Sequence, residues 1–131
     1  MSYEIAPLIL LSQDRTRMLN FLSDVFEFEI DEQDFLVSHP RLLFRVEEAS
    51  GQNLSADQNF LTIPQILFNF HLKTEDELNE IINKFNFFQY RRSESMHQEK
   101  MEIIETDKCK TLLIYDIDLR PWRFDFKKAL L

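Results

Sequence analysis

A single cysteine, Cys109, excludes an internal disulfide and any cysteine-cluster metal site, and a lone thiol carries little functional weight. There is no run of about eighteen apolar residues, the minimum for a membrane-spanning helix. The amino-terminal "MSYEIAPLILLSQD" lacks a basic start and a small-residue cleavage site, so no export signal is visible and a cytoplasmic location is expected. Basic charge is also scarce. Fifteen Lys and Arg against twenty-three Asp and Glu give a net charge of -8, and no basic stripe interrupts it. The cationic surplus that a phosphate backbone requires is missing, so neither nucleic acid nor a membrane is an expected partner. Glycine occurs once, as Gly51, within the polar stretch "EASGQNLSADQNFLTIP", which reads as a linker at about 49–64.

Apolar residues, by contrast, are abundant. Hydrophobic residues make up 44% of the 131, thirteen of them Phe, enough for a sizeable core in one domain spanning 1–131. "PLILLSQD" (7–14) predicts a short buried strand, and Asp14 is then placed to cap a helix near 15–25 with Met18, Phe21, Leu22 and Val25 on one face. Sixty residues later the device recurs. "LFNFHLKT" (67–74) predicts the strand, Thr74 the cap with Glu77 completing a capping box, and Leu78, Ile81, Ile82 and Phe85 the apolar face of a helix near 75–85.

Three alternating segments follow each helix: "FEFEI", "DFLVSH" and "RLLFRVEE" after the first, "FFQYRR", "TLLIYD" and "PWRFDF" after the second. Phe28 and Ile30 match Phe88 and Tyr90 at the offset of sixty. Leu42, Phe44 and Val46 match Trp122, Phe124 and Phe126 at an offset of eighty, so about twenty extra residues lie between Ser93 and Lys110, where "MEIIET" offers a further strand. The expected fold is α+β, a two-copy repeat of β-α-β-β-β modules at about 1–48 and 65–131.

Two such modules in a chain of this length resemble the vicinal oxygen chelate superfamily, which groups glyoxalase I, bleomycin-resistance proteins and extradiol dioxygenases. "SQDRTRMLNFLSDVFEFEI" is similar to the family's segment in which an Asp starts a helix that ends shortly before a strand, and "DIDLRPWRFDF" to its closing aspartate-rich turn and last strand. The resemblance implies an open, curled mixed sheet around a ligand groove, helices outside, and commonly a homodimer. Metal-dependent members hold a divalent ion with His, Glu or Gln from the first and last strands of each module. Carried onto this chain, those positions fall on Pro7, Leu43, Leu67 and Arg123, three side chains with no lone pair to offer and one fixed cation. A shift of two residues, to Ile9, Arg45, Asn69 and Asp125, supplies one good ligand. The family's metal site is therefore expected to be absent, with no cofactor in its place.

Strand parity assigns the rest. Leu8, Leu10, Leu42, Phe44, Val46, Ile66, Phe68, Phe70, Trp122, Phe124 and Phe126 should face the helices. The opposite face then carries an apolar floor of Ile9, Leu11, Leu43 and Leu113 with the candidate ligand-binding residues Arg45, Glu47, Asn69, His71, Tyr115, Arg123 and Asp125. The four charged ones can equally pair with one another across a filled interior, and His71 can be a structural histidine. His39 and His97 are expected to be exposed.

Three functional readings stay open. One is a metal-free protein whose homodimer encloses an apolar or cationic small molecule; another is a divergent enzyme with His71 or Asp125 as general base; the third is an occluded structural or partner-binding domain. Arg123 separates them: over an open groove it holds an anionic or carbonyl group, and in a filled interior it pairs with Glu47 or Asp125.

Overall fold

The computed structural model describes residues 6–40, 42–49, 68–91 and 99–128. The first module comprises β1 (Leu8–Ser12), α1 (Arg15–Phe26), β2 (Glu29–Asp31), β3 (Leu36–His39) and β4 (Leu42–Glu48). The second comprises β5 (Phe68–Leu72), α2 (Glu75–Arg91), β6 (Lys100–Glu105), β7 (Cys109–Tyr115) and β8 (Pro121–Lys127). Each forms a four-stranded sheet in the same order, β1-β4-β3-β2 and β5-β8-β7-β6. The first strand lies parallel to the last and the other pairs are antiparallel. The chain is thus α+β with two unclosed mixed sheets. Among the described residues no helix is long and apolar enough to cross a membrane.

Local chemistry explains the helix boundaries. Asp14 is extended and its carboxylate accepts the Arg17 amide at 3.0 Å, satisfying a donor that the first turn leaves free. At the other end Glu27 takes a left-handed conformation, φ 59°, from which its amide reaches the Leu22 and Ser23 carbonyls. The Thr74 hydroxyl accepts the Glu77 amide at 3.2 Å, and the acidic first turn of α2 complements its dipole.

Two predicted strands are corrected. "FFQYRR" continues α2 as far as Arg91, because Phe88, 1% exposed, extends the helical stripe of Leu78 and Phe85 at a spacing of three. Phe87 and Tyr90, 60% and 80% exposed, point outward, so the match of Phe88 and Tyr90 to Phe28 and Ile30 fails. The strand paired with β7 is instead β6, from "MEIIET" in the insertion. In "FEFEI", Phe26 ends α1 and Phe28 is buried in the connection, so β2 begins only at Glu29. Leu8 is also corrected: it opens an edge strand and stands 59% exposed rather than against the helix. Ile66, Leu67, His97 and most of the 49–64 linker lie outside the described residues.

One core serves both modules. Phe21, Phe44, Val46, Leu112, Ile114 and Trp122 are fully buried in a single cluster fed by both sheets and both helices. Phe68 stacks between Phe44 at 5.8 Å and Trp122 at 4.8 Å, Phe26 packs on Trp122 and Phe124, and Phe21 meets Phe88 edge-on across the helix pair. Such pairs add about 0.5–1.5 kcal/mol each beyond their buried area. Beside the core, the Arg17 guanidinium grips buried Glu99 at 2.6 and 3.0 Å, tying α1 to the residue before β6. The helix-facing sides of the two sheets are therefore used up on each other and on the helices.

Candidate functional site

β8 runs between β5 and β7, and its alternation sends Trp122 and Phe124 into the core and Arg123 and Asp125 to the other face. Register places Asn69 and Leu113 beside Arg123, and His71 and Thr111 beside Asp125. Tyr115 lies on the same face of β7, opposite Lys100. Five of the seven candidate residues, Asn69, His71, Tyr115, Arg123 and Asp125, thus share one sheet face. Arg45 and Glu47 sit on the other sheet, beside Ile9 and Leu11, and make no ion pair among the described residues.

The centre of the second face is a fixed charge pair. Arg123 Nε donates to both Asp125 carboxylate oxygens at 3.0 and 3.1 Å, and the Thr111 hydroxyl donates to Oδ1 at 2.7 Å. Burial pushes the Asp125 carboxyl up, but hydrogen bonds from Thr111, Arg123 and Asn69 and the Arg123 charge outweigh it and hold the group below its ordinary value. The Arg123 side chain is 40% exposed, and its two Nη groups have no partner among the described residues. Of the two pairings expected for Arg123 in a filled interior, the one with Asp125 forms, but on a side chain 40% exposed rather than in a sealed one. Burial raises the Tyr115 hydroxyl, helped by the charge of Glu102. His71 is exposed.

Both open faces carry apolar side chains that a lone chain leaves in water. Ile9 and Leu43 on the first sheet are 52% and 48% exposed, and Ile104 on the second is 51% exposed.

One cluster escaped the sequence reading. Asp116, completely buried, accepts from the Asp118 and Arg120 amides at 2.8 and 3.0 Å through Oδ1, and from Arg120 Nη1 and Trp122 Nε1 at 3.2 and 2.9 Å through Oδ2. From there the turn reaches into the other module. Arg120 Nη2 donates to the Leu11 carbonyl at 2.9 Å, the Gln13 side-chain amide to the Ile117 carbonyl at 2.7 Å, and the Gln13 backbone amide to Asp118 at 2.8 Å. Burial raises the Asp116 carboxyl to about 6, against the pull of Arg120 and Trp122, and raises Asp118 as well. The available signal was Asp-x-Asp at a strand end, a pattern that folds side chains onto nearby amides. Its partners Leu11, on β1, and Gln13, just after it, lie more than a hundred residues away in sequence.

A divalent ion does not suit these residues. Pro7 and Leu43 offer no donor, Arg123 is a cation, and the Asp125 oxygens are engaged. Among the described residues no three His, Cys, Asp or Glu side chains are placed to hold a metal.

No family model and no curated protein matches the chain by sequence. Solved structures do match over nearly its full length. It is similar to a hypothetical protein, SA1046, from S. aureus, at TM-score 0.66 and 15% identity, covering 98% of this chain and 96% of that one. The genomically encoded fosfomycin resistance protein FosX from Listeria monocytogenes gives 0.65 and 14%, covering 98% and 97%. A glyoxalase/bleomycin resistance protein/dioxygenase family enzyme from Burkholderia phytofirmans gives 0.62 and 13%, covering 91% and 94%. At such identities the likeness is one of fold, and the fold is that of the vicinal oxygen chelate superfamily.

Proposed function

We propose that the chain is a metal-free small-molecule-binding protein of the glyoxalase/bleomycin-resistance type, acting as a homodimer. The observation that carries this reading is the pair of open sheet faces. One offers Ile9, Leu11 and Leu43 around Arg45 and Glu47; the other offers Leu113 and Ile104 around Arg123 and Asp125. Each has the apolar floor and few polar groups of a ligand site, and each is half of one. A second copy laying its first face over the second face of its partner closes a groove and removes the exposed Ile9 and Leu43 from water. Each is already about half buried, so completing its burial contributes about half of the roughly 1.5–3 kcal/mol that a full burial gives.

The donor set supports the metal-free reading, with Arg123 standing where a carboxylate would be needed. An enzymatic reading through Asp125 lacks support, because a carboxylate held ionised by Arg123 and Thr111 is a weak base. Light scattering on the full chain should give a dimer that Leu43→Glu returns to monomer, and a monomeric native protein would remove the enclosed groove. Added Zn, Ni, Mn or Fe should leave the thermal midpoint unchanged. An ion at a hundredfold excess over its dissociation constant would stabilise the fold by roughly 2.7 kcal/mol, a shift that is easily seen.

A further inference from the structure

We infer that the ligand is an apolar-bodied organic acid whose carboxylate is held by the Arg123 guanidinium. This rests on reading that face as a ligand site and names the class of molecule it takes. Arginine has five N–H donors in a planar fork. Asp125 uses the Nε donor alone, at 3.0 and 3.1 Å, and is itself held by Thr111 at 2.7 Å. The stem of the guanidinium is thus fixed while its Nη edge, on a side chain 40% exposed, has no partner among the described residues. A fork with its base pinned and its outer edge free matches the two oxygens of a carboxylate and has already lost much of the freedom that binding would remove. Asp125 is here a positioning residue.

The neighbours fix the other end of the ligand and its sign. Leu113 lies directly beside Arg123, and Ile104, 51% exposed, lies beside Thr111. An alkyl or aryl body covers these. A cationic ligand, which the overall charge of -8 would favour, would set its charge against the Arg123 guanidinium beside Leu113. The Asp125 carboxylate is engaged by the Thr111 hydroxyl and by Arg123 Nε.

Isothermal titration of the full chain with octanoate, octanamide and octylamine tests this. Octanoate should bind more tightly than either by about tenfold or more, the worth of a hydrogen-bonded charge, and Arg123→Gln should abolish the preference. Arg123→Lys should retain part of it, since a point charge replaces the fork. Equal or tighter binding of octanamide or octylamine overturns the acid while leaving the face a ligand site. Failure of all three probes to bind overturns the acid and the ligand site together. Should Arg123→Gln not fold, the order of the three probes on the native protein and on Arg123→Lys decides the matter.

Discussion

Asp116 and Asp125 lie nine residues apart on one hairpin, each bonded to an arginine of that hairpin, and their carboxyls move in opposite directions. Asp116 has the greater number of donors but is sealed beneath the turn, so loss of water dominates and its carboxyl rises to about 6. Asp125 keeps a solvent-facing partner, and its hydrogen bonds prevail over a smaller burial cost. An arginine beside an aspartate is therefore not one kind of feature. Arg120, nearly buried, spends itself on Asp116 and the Leu11 carbonyl and joins two modules; Arg123 spends one donor and keeps the rest for something outside the chain.

The most damaging way to break this contrast is Arg120→Ala. It leaves Asp116 buried with its counter-ion gone and should cost about 3–5 kcal/mol, read as a lower denaturant midpoint at unchanged slope. A loss comparable to that of an exposed pair would mean that the corner is wet. Acid should act the other way. Because the folded value of Asp116 lies above its ordinary 3.8, its contribution to stability is complete below that value and is lost as pH rises through about 6. The midpoint should therefore be higher at pH 5 than at pH 7. The difference between about 6 and 3.8 sets an upper bound of about 3 kcal/mol. Asp118 adds in the same direction, whereas the contribution of Asp125 is present above its ordinary value and is lost only as pH falls through its lowered one. A midpoint that falls on going from pH 7 to pH 5 would refute the assignment.

Gln13→Ala removes the side-chain bond to the Ile117 carbonyl but leaves the backbone amide to hold Asp118, so a loss of about 1 kcal/mol is expected in the same measurement. Arg123→Ala should have the smallest effect, no more than about 1 kcal/mol, since the pair is part-exposed and Asp125 keeps Thr111. A loss as large as that for Arg120→Ala would place Arg123 in the framework and remove it from the ligand site.

Much of the fold was legible because its signals are local. Asp14 and Thr74 mark helix starts through bonds to amides three residues on, and period-two alternation in "RLLFRVEE" and "PWRFDF" assigned Phe44, Val46, Trp122 and Phe124 to the core. The error at "FFQYRR" has the same origin. Phe87, Phe88 and Tyr90 fit a strand and a helix about equally over so short a run, and only the place of Phe88 against Phe21 decided for the helix. Of the site, parity put Asn69, His71, Tyr115, Arg123 and Asp125 on one face correctly. It had no means of telling that Arg45 and Glu47 stand on a separate sheet.

The sequence by itself determined which side of β4 and β8 is apolar, where the helices begin, that a β-α-β-β-β unit occurs twice, and that Pro7, Leu43 and Arg123 offer a metal ion no donor. These are properties of a residue and its near neighbours, set by backbone geometry and side-chain chemistry. Only the tertiary structure decided that both apolar sides meet in one core around Trp122, that the turn at Asp116 fastens β1 to the second module, and that Arg123 gives one donor to Asp125 and leaves its Nη groups without a partner among the described residues. Those outcomes depend on contacts between segments as much as a hundred residues apart, and on how much water each contact excludes. No local pattern encodes either quantity.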